Sequence, residues 1–186
     1  VREAMCVGCG WSDGGDFHGF EVIQSMVERR KGGESGVEWI EGFRGEKFWN
    51  ALHEEQWSRA LFDACLCRGH QLTPARSGFN NTFPTINEMK RLVKEPWAYQ
   101  YKHRDGLVCT MIAMNGLFGG SWAFAADVNG REDPLSTYMH LPMPPNPATL
   151  ANFFSPQVNN IEQMFLTRKA SYPIERTLLT TGLTSA

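Results

Sequence analysis

The chain has 186 residues and a formal net charge of −2, with 18 Lys and Arg set against 20 Asp and Glu. That balance speaks against a nucleic acid or an anionic membrane as partner. The length suits one domain with a core of its own, and no apolar run is long enough to span a bilayer.

The N-terminus lacks the layout of a secretion signal. Cys6, Cys9, Cys65, Cys67 and Cys109 are an odd set and read as free thiols in a reducing, cytoplasmic compartment. Residues 1–15 are glycine-rich and read as a loop. A helix follows over Gly14–Gly33, with Asp16 as its N-cap and Phe20, Ile23 and Val27 as its apolar stripe. Arg29, Arg30 and Lys31 suit the negative end of the helix dipole, Gly32-Gly33 stops it, and the Glu28–Lys31 run reads as a solvated helix end.

On that reading His18 and Glu21 share a face of the first helical turn. The positive end of the dipole favours a neutral imidazole, which can exchange protons with a substrate near neutral pH, and a neighbouring carboxylate can orient it. The plainer alternative makes His18 a local hydrogen-bonding residue and Glu21 a carboxylate that complements the dipole.

Val37–Phe43 reads as a strand, then Glu46–His53 and Gln56–Cys67 as helices. Residues 69–84 read as a surface loop, and the Thr85-x-x-Glu88 spacing is a capping box for a short helix to Lys94. From Pro96 the period changes to two. Trp97, Tyr99 and Tyr101 alternate with Ala98, Gln100 and Lys102, Asp105-Gly106 marks a hairpin, and Leu107–Met114 is apolar on both faces. Ser121–Val128 and Leu135–Leu141 add strands about the Asn129-Gly130 turn. Past the proline-rich run Leu141–Pro147, two last helices open at Ser155-Pro156 and Pro173. Val158, Ile161, Met164 and Phe165 face inward on the first, and Ile174, Leu178, Leu179 and Leu183 on the second.

The expected fold is α+β: a largely antiparallel open sheet, a meander, with helices packed on one face. The other face would then meet a second copy, giving a homo-oligomer through the sheet face. Val1 in place of Met, and a helical pattern running to Ala186, suggest a single domain over 1–186 that is a C-terminal piece of a longer two-domain protein.

The chain resembles the C-terminal, substrate-side domain of oxidoreductases of the glucose–fructose oxidoreductase/inositol dehydrogenase type. That type has a glycine-rich lead, an aspartate and then His-x-x-Asp opening a helix. Here His18-Gly19-Phe20-Glu21 matches with Glu21 for the aspartate, and Gly14 stands where the preceding aspartate is expected. The stretches FHGFEVIQSMVERRKGGESGV, YKHRDGLVCTMIAMNG and MFLTRKASYPIERTLLTTGLTSA are similar to an uncharacterised bacterial branch of these proteins.

The resemblance implies an NAD- or NADP-dependent enzyme acting on a sugar, polyol or similar hydroxylated small molecule. His18 would be catalytic, and Asp16 and Glu21 would bind or orient substrate. The cofactor would sit on a Rossmann domain outside this chain, since the sequence shows no GxGxxG after a strand. The chain alone would then bind no cofactor and no metal. Two other readings stand beside it: a non-catalytic ligand-binding or self-association module, and a zinc domain pairing Cys6 and Cys9 with Cys65 and Cys67.

Overall fold

A computed structural model describes residues 1–69, 84–118, 122–139 and 154–186. Six strands, β1 (Glu3–Gly8), β2 (Val37–Arg44), β3 (Trp97–His103), β4 (Val108–Ala113), β5 (Trp122–Asp127) and β6 (Leu135–Met139), form one sheet in the order β2-β3-β4-β1-β5-β6. The helices among the described residues are α1 (Gly14–Val27), α2 (Gly45–His53), α3 (Arg59–Arg68), α4 (Ile86–Leu92), α5 (Ser155–Thr167) and α6 (Glu175–Thr184). The α+β class and the largely antiparallel open sheet are as expected. Most of the expected 69–84 loop, and all of Leu141–Pro147, lie outside the described residues.

The order is not a meander. The expected loop over residues 1–15 contains β1, which inserts between β4 and β5. It runs parallel to β4, from Glu3 opposite Val108 to Gly8 opposite Ala113, and antiparallel to β5, from Glu3 opposite Asp127 to Gly8 opposite Trp122. Ala4, Met5, Cys6 and Val7 are fully buried because a central strand has both faces covered.

Helices cover both faces of the sheet, not one. Alternation sends Ala4, Cys6, Tyr101, Met111 and Phe124 to one side, where Phe20, Ile23 and Val27 of α1 and Leu183 of α6 meet them. Met5, Val7, Ala98, Ile112 and Ala125 go to the other, under Phe48 and Leu52 of α2, Phe62 and Leu66 of α3 and Met89 of α4. Each Val, Leu, Ile, Phe or Met among them contributes about 1.5–3 kcal/mol when fully buried. Gln100, expected on a polar face, is 6% exposed and donates from Nε2 to the Gln56 carbonyl at 3.4 Å.

This cover removes the reason given for pairing through the sheet. Both faces of β4 are sealed by the chain's own helices, so Leu107–Met114 leaves no wet apolar face for a second copy. The last two helices also depart from expectation. Val158, Ile161, Met164 and Phe165 of α5 are exposed, as are Ile174 and Leu178, while Leu183 is buried. α6 is held to α1 by Thr180 Oγ1 donating to Glu21 Oε1 at 2.7 Å and by Arg176 Nε donating to Glu28 Oε2 at 2.8 Å. Among the described residues no helix is long and apolar enough to cross a membrane.

Candidate active site at the start of the first helix

Helix α1 begins three residues earlier than expected, with Asp13 and not Asp16 at its N-cap. Asp16, 2% exposed, instead joins the helix to β3. Its Oδ1 accepts from Trp97 Nε1 at 2.6 Å, and its Oδ2 accepts from the Tyr99 hydroxyl at 3.1 Å and the Asp13 N–H at 3.3 Å. Burial pushes the Tyr99 phenol above its ordinary value; Arg44 opposes that shift and the Asp16 charge adds to it. With its oxygens engaged in this way, Asp16 is an anchor of the helix rather than a free ligand group.

The earlier start moves His18 and Glu21 beyond the first turn, where the dipole has weakened. His18 is exposed and makes no hydrogen bond among the described residues. It lines a small pocket, about 220 Å³, with Glu21, Val22, Ser25, Trp122 and Met139. Glu21 is engaged by Thr180, so it does not orient the imidazole by a hydrogen bond. Gly19 sets the depth of this site: a Cβ there would come within 2.7 Å of Met111 Cγ and 3.0 Å of the Trp122 ring. The missing side chain lets α1 sit close to the sheet, with Trp122 as the pocket wall.

The structure therefore divides the three expected site residues. His18 and Glu21 share a pocket on the β5–β6 flank of α1, while Asp16 faces β3. Ser25, which the sequence reading omitted, lies four residues beyond Glu21 and was legible as the same helical face. Trp122 was not, since a distant strand supplies it.

A second depression, about 560 Å³, opens on the other side of the α1 start and is lined by Trp11, Ser12, Arg44, Lys94, Glu95, Trp97 and Asn115. It lies outside the carboxyl ends of β1, β2 and β4, the usual place for a ligand crevice in sheets with parallel neighbours. Gly10 N–H donates to Asn115 Oδ1 at 2.9 Å and Asn115 Nδ2 donates to the Gly10 carbonyl at 2.6 Å, which fixes the β1–α1 loop. Asp13 has φ 67 and ψ −78, a strained γ-turn in which Gly14 N–H donates to the Ser12 carbonyl at 3.0 Å.

This strand–glycine loop–helix order, which the sequence reading did not see, is not a phosphate cradle. Gly15 N–H donates to the Trp11 carbonyl at 2.8 Å, and the Asp13 and Asp16 carboxylates stand where a pyrophosphate would need positive charge. The residues present do not fit a dinucleotide.

Two further groups lie on the α1 face. Glu34 accepts from His103 Nδ1 at 3.0 Å, from the Ser35 and Gly36 N–H groups at 2.8 and 2.7 Å, and from Gln24 Nε2. Burial alone would raise its pKa, but the bonds from His103, Gln24 and Gly36 hold it well below the ordinary carboxylate value. Arg30, expected to be solvated, has a side chain only 4% exposed, reaching Asp105 at 2.7 Å and Glu34 at 3.5 Å. Beside Glu34 an apolar cavity of about 540 Å³ runs between β2 and α6, walled by Val37, Ile40, Leu178, Leu179 and Leu183.

The cysteines do not assemble a zinc site. Cys6 faces α1 and Cys65 lies on the opposite side of the sheet, donating to the Ala123 carbonyl at 3.5 Å. Burial pushes both thiols well above their ordinary values. Among the described residues no group of three or more His, Cys, Asp and Glu side chains is placed to hold a metal. Comparison with family models, curated proteins and solved structures finds no match to this chain.

Proposed function

We propose that this chain is the substrate-side domain of an NAD- or NADP-dependent oxidoreductase acting on a sugar, polyol or similar hydroxylated small molecule. The observation that supports it is His18, an exposed imidazole with no hydrogen bond among the described residues, lining a pocket beside Glu21, Ser25 and the Trp122 ring. An imidazole free at both nitrogens can take a hydroxyl proton and return it, while Ser25 and the indole orient the substrate. The nicotinamide, which supplies the hydride chemistry, belongs on a separate nucleotide-binding domain.

The test is turnover of a two-domain protein containing this chain, with His18→Ala compared against the unaltered form. A fall of about 100-fold or more, with unchanged thermal melting, is expected of a general acid–base. Full turnover by the variant would remove His18 from the mechanism. A non-catalytic ligand-binding module is the second reading, favoured by the engagement of Glu21 with Thr180. Binding of a polyol by a two-domain protein that never oxidises it would select that reading.

A further inference from the structure

We propose that the depression outside the carboxyl ends of β1, β2 and β4 is a binding site for a small anionic sugar, a hydroxylated ring carrying one carboxylate or phosphate. Its volume of about 560 Å³ lies within the range of small-molecule sites. Four separate stretches of chain build it: the β1–α1 loop gives Trp11 and Ser12, the end of β2 gives Arg44, the turn into β3 gives Lys94 and Glu95 with Trp97 at the start of the strand, and the loop after β4 gives Asn115.

The charge pattern points to an anion of modest size. Neither Arg44 nor Lys94 makes an ion pair among the described residues; the Arg44 guanidinium there has one long hydrogen bond, 3.5 Å to the Tyr99 hydroxyl, and stands 5.8 Å over the Trp97 ring. Two cations on one concave wall attract a negative head group, and a guanidinium can grip it through two parallel bonds. Glu95 lines the same wall, and Asp13 and Asp16 lie near enough to act on the Arg44 charge. Within the lining Arg44 and Lys94 face the single carboxylate of Glu95, a small positive excess that suits one head group and opposes a polyphosphate. Asp13 and Asp16 lie outside the lining, and Asp16 is held by Trp97 and Tyr99. Glu95, Ser12 and Asn115 supply acceptors and donors suited to hydroxyls.

The aromatic pattern points to a ring. Trp11 is 69% exposed, and its indole lies across the backbone of Gly14, where a Cβ would come within 2.5 Å of Nε1. Trp97 is fixed by its bond to the buried Asp16. The exposed Trp11 indole offers flat apolar area to the C–H face of a sugar, while Trp97, 8% exposed with the Arg44 guanidinium 5.8 Å over its ring, is a fixed backing. Walls held in advance lose little entropy when a ligand binds. The Gly10–Asn115 pair of hydrogen bonds holds the loop that carries Trp11 in the same way.

This inference shares only the hydroxylated body of the ligand with the oxidoreductase reading. Binding here without turnover would keep it and remove the other.

The experiment is calorimetric titration of the full 186-residue chain with glucuronate, glucose 6-phosphate, glucose and inorganic phosphate. Saturable binding of glucuronate or glucose 6-phosphate is expected, at least about tenfold tighter than glucose or phosphate alone. Arg44→Gln with Lys94→Gln should weaken it by about tenfold or more, and Trp11→Ala should weaken both anionic sugars alike. Circular dichroism checks the variants; should the double variant not fold, Lys94→Gln and Trp11→Ala carry the test, since both side chains are exposed. No saturation by either anionic sugar at about 10 mM, equal binding of glucose, equal binding of phosphate, or unchanged affinity in the variants would each overturn the proposal.

Discussion

The two faces of the sheet are covered to different extents, and the candidate chemistry follows the difference. On one side α2, α3 and α4 close over Met5, Val7 and Ile112, and the aromatic side chains Phe48, Trp57 and Phe62 fill the space. On the other, α1 and α6 are the helices among the described residues that lie over the strands. Among the described residues their flanks hold the His18 pocket beside β5 and β6 and the apolar cavity beside β2. A partly buried polar cluster, Glu34 with His103 and Arg30, also lies on this second side. A closed face gives stability; a partly covered one leaves polar groups within reach of a ligand.

The largest expected effect breaks the sealed face. Phe62→Ala should cost about 3–5 kcal/mol in urea denaturation, because a fully buried ring leaves a cavity that packed helices cannot refill. Leu178→Ala, at a side chain 76% exposed on the other side, should stay within about 0.5 kcal/mol. Comparable losses at both positions would erase the contrast.

Next in size is Glu34. Glu34→Ala leaves Arg30 and His103 buried without their shared acceptor and should cost about 2–4 kcal/mol at neutral pH. The pH dependence has a definite sign. The folded state holds Glu34 below its ordinary value of 4.5, so acid protonates the unfolded chain first. Its stabilisation is therefore complete above about pH 4.5 and declines as the pH falls below it. Thermal melts across that range should show a flatter acid limb for Glu34→Gln than for the parent, and identical limbs would sink the assignment.

Asp16→Asn should cost less, about 1–2 kcal/mol, since the amide keeps one acceptor for Trp97 but weakens the grip on Tyr99. Near-ultraviolet circular dichroism of the indole reports it directly. Smallest of all is His18→Ala, within about 0.5 kcal/mol by urea denaturation, as fits an exposed side chain with no hydrogen bond among the described residues. A large loss there would mean that the imidazole supports the fold.

Much of the framework was legible. The turns at Asp105-Gly106 and Asn129-Gly130 do join antiparallel neighbours, β3 to β4 and β5 to β6, and both glycines have the positive φ such turns require. The Thr85–Glu88 capping box is present as read. The stripe of Phe20, Ile23 and Val27 faces the core. The start of α1 was misjudged because Asp13 and Asp16 are both good capping residues, and only the bonds from Trp97 and Tyr99 separate their roles.

The sequence by itself determined the local matters: which residues form helices and hairpins, where turns fall, and that His18, Glu21 and Ser25 lie along one side of a helix. These depend on neighbours within a few residues, where period and turn chemistry act. Only the tertiary structure decided that β1 lies at the centre of the sheet, since both its partners are more than 90 residues away. The same holds for the placing of α2, α3 and α4 on the far face, and for the meeting of Trp11, Arg44, Lys94 and Asn115 around one cleft. Alternation along a strand tells which residues point together, but not what covers them, because the cover comes from distant chain brought in by burial of apolar surface.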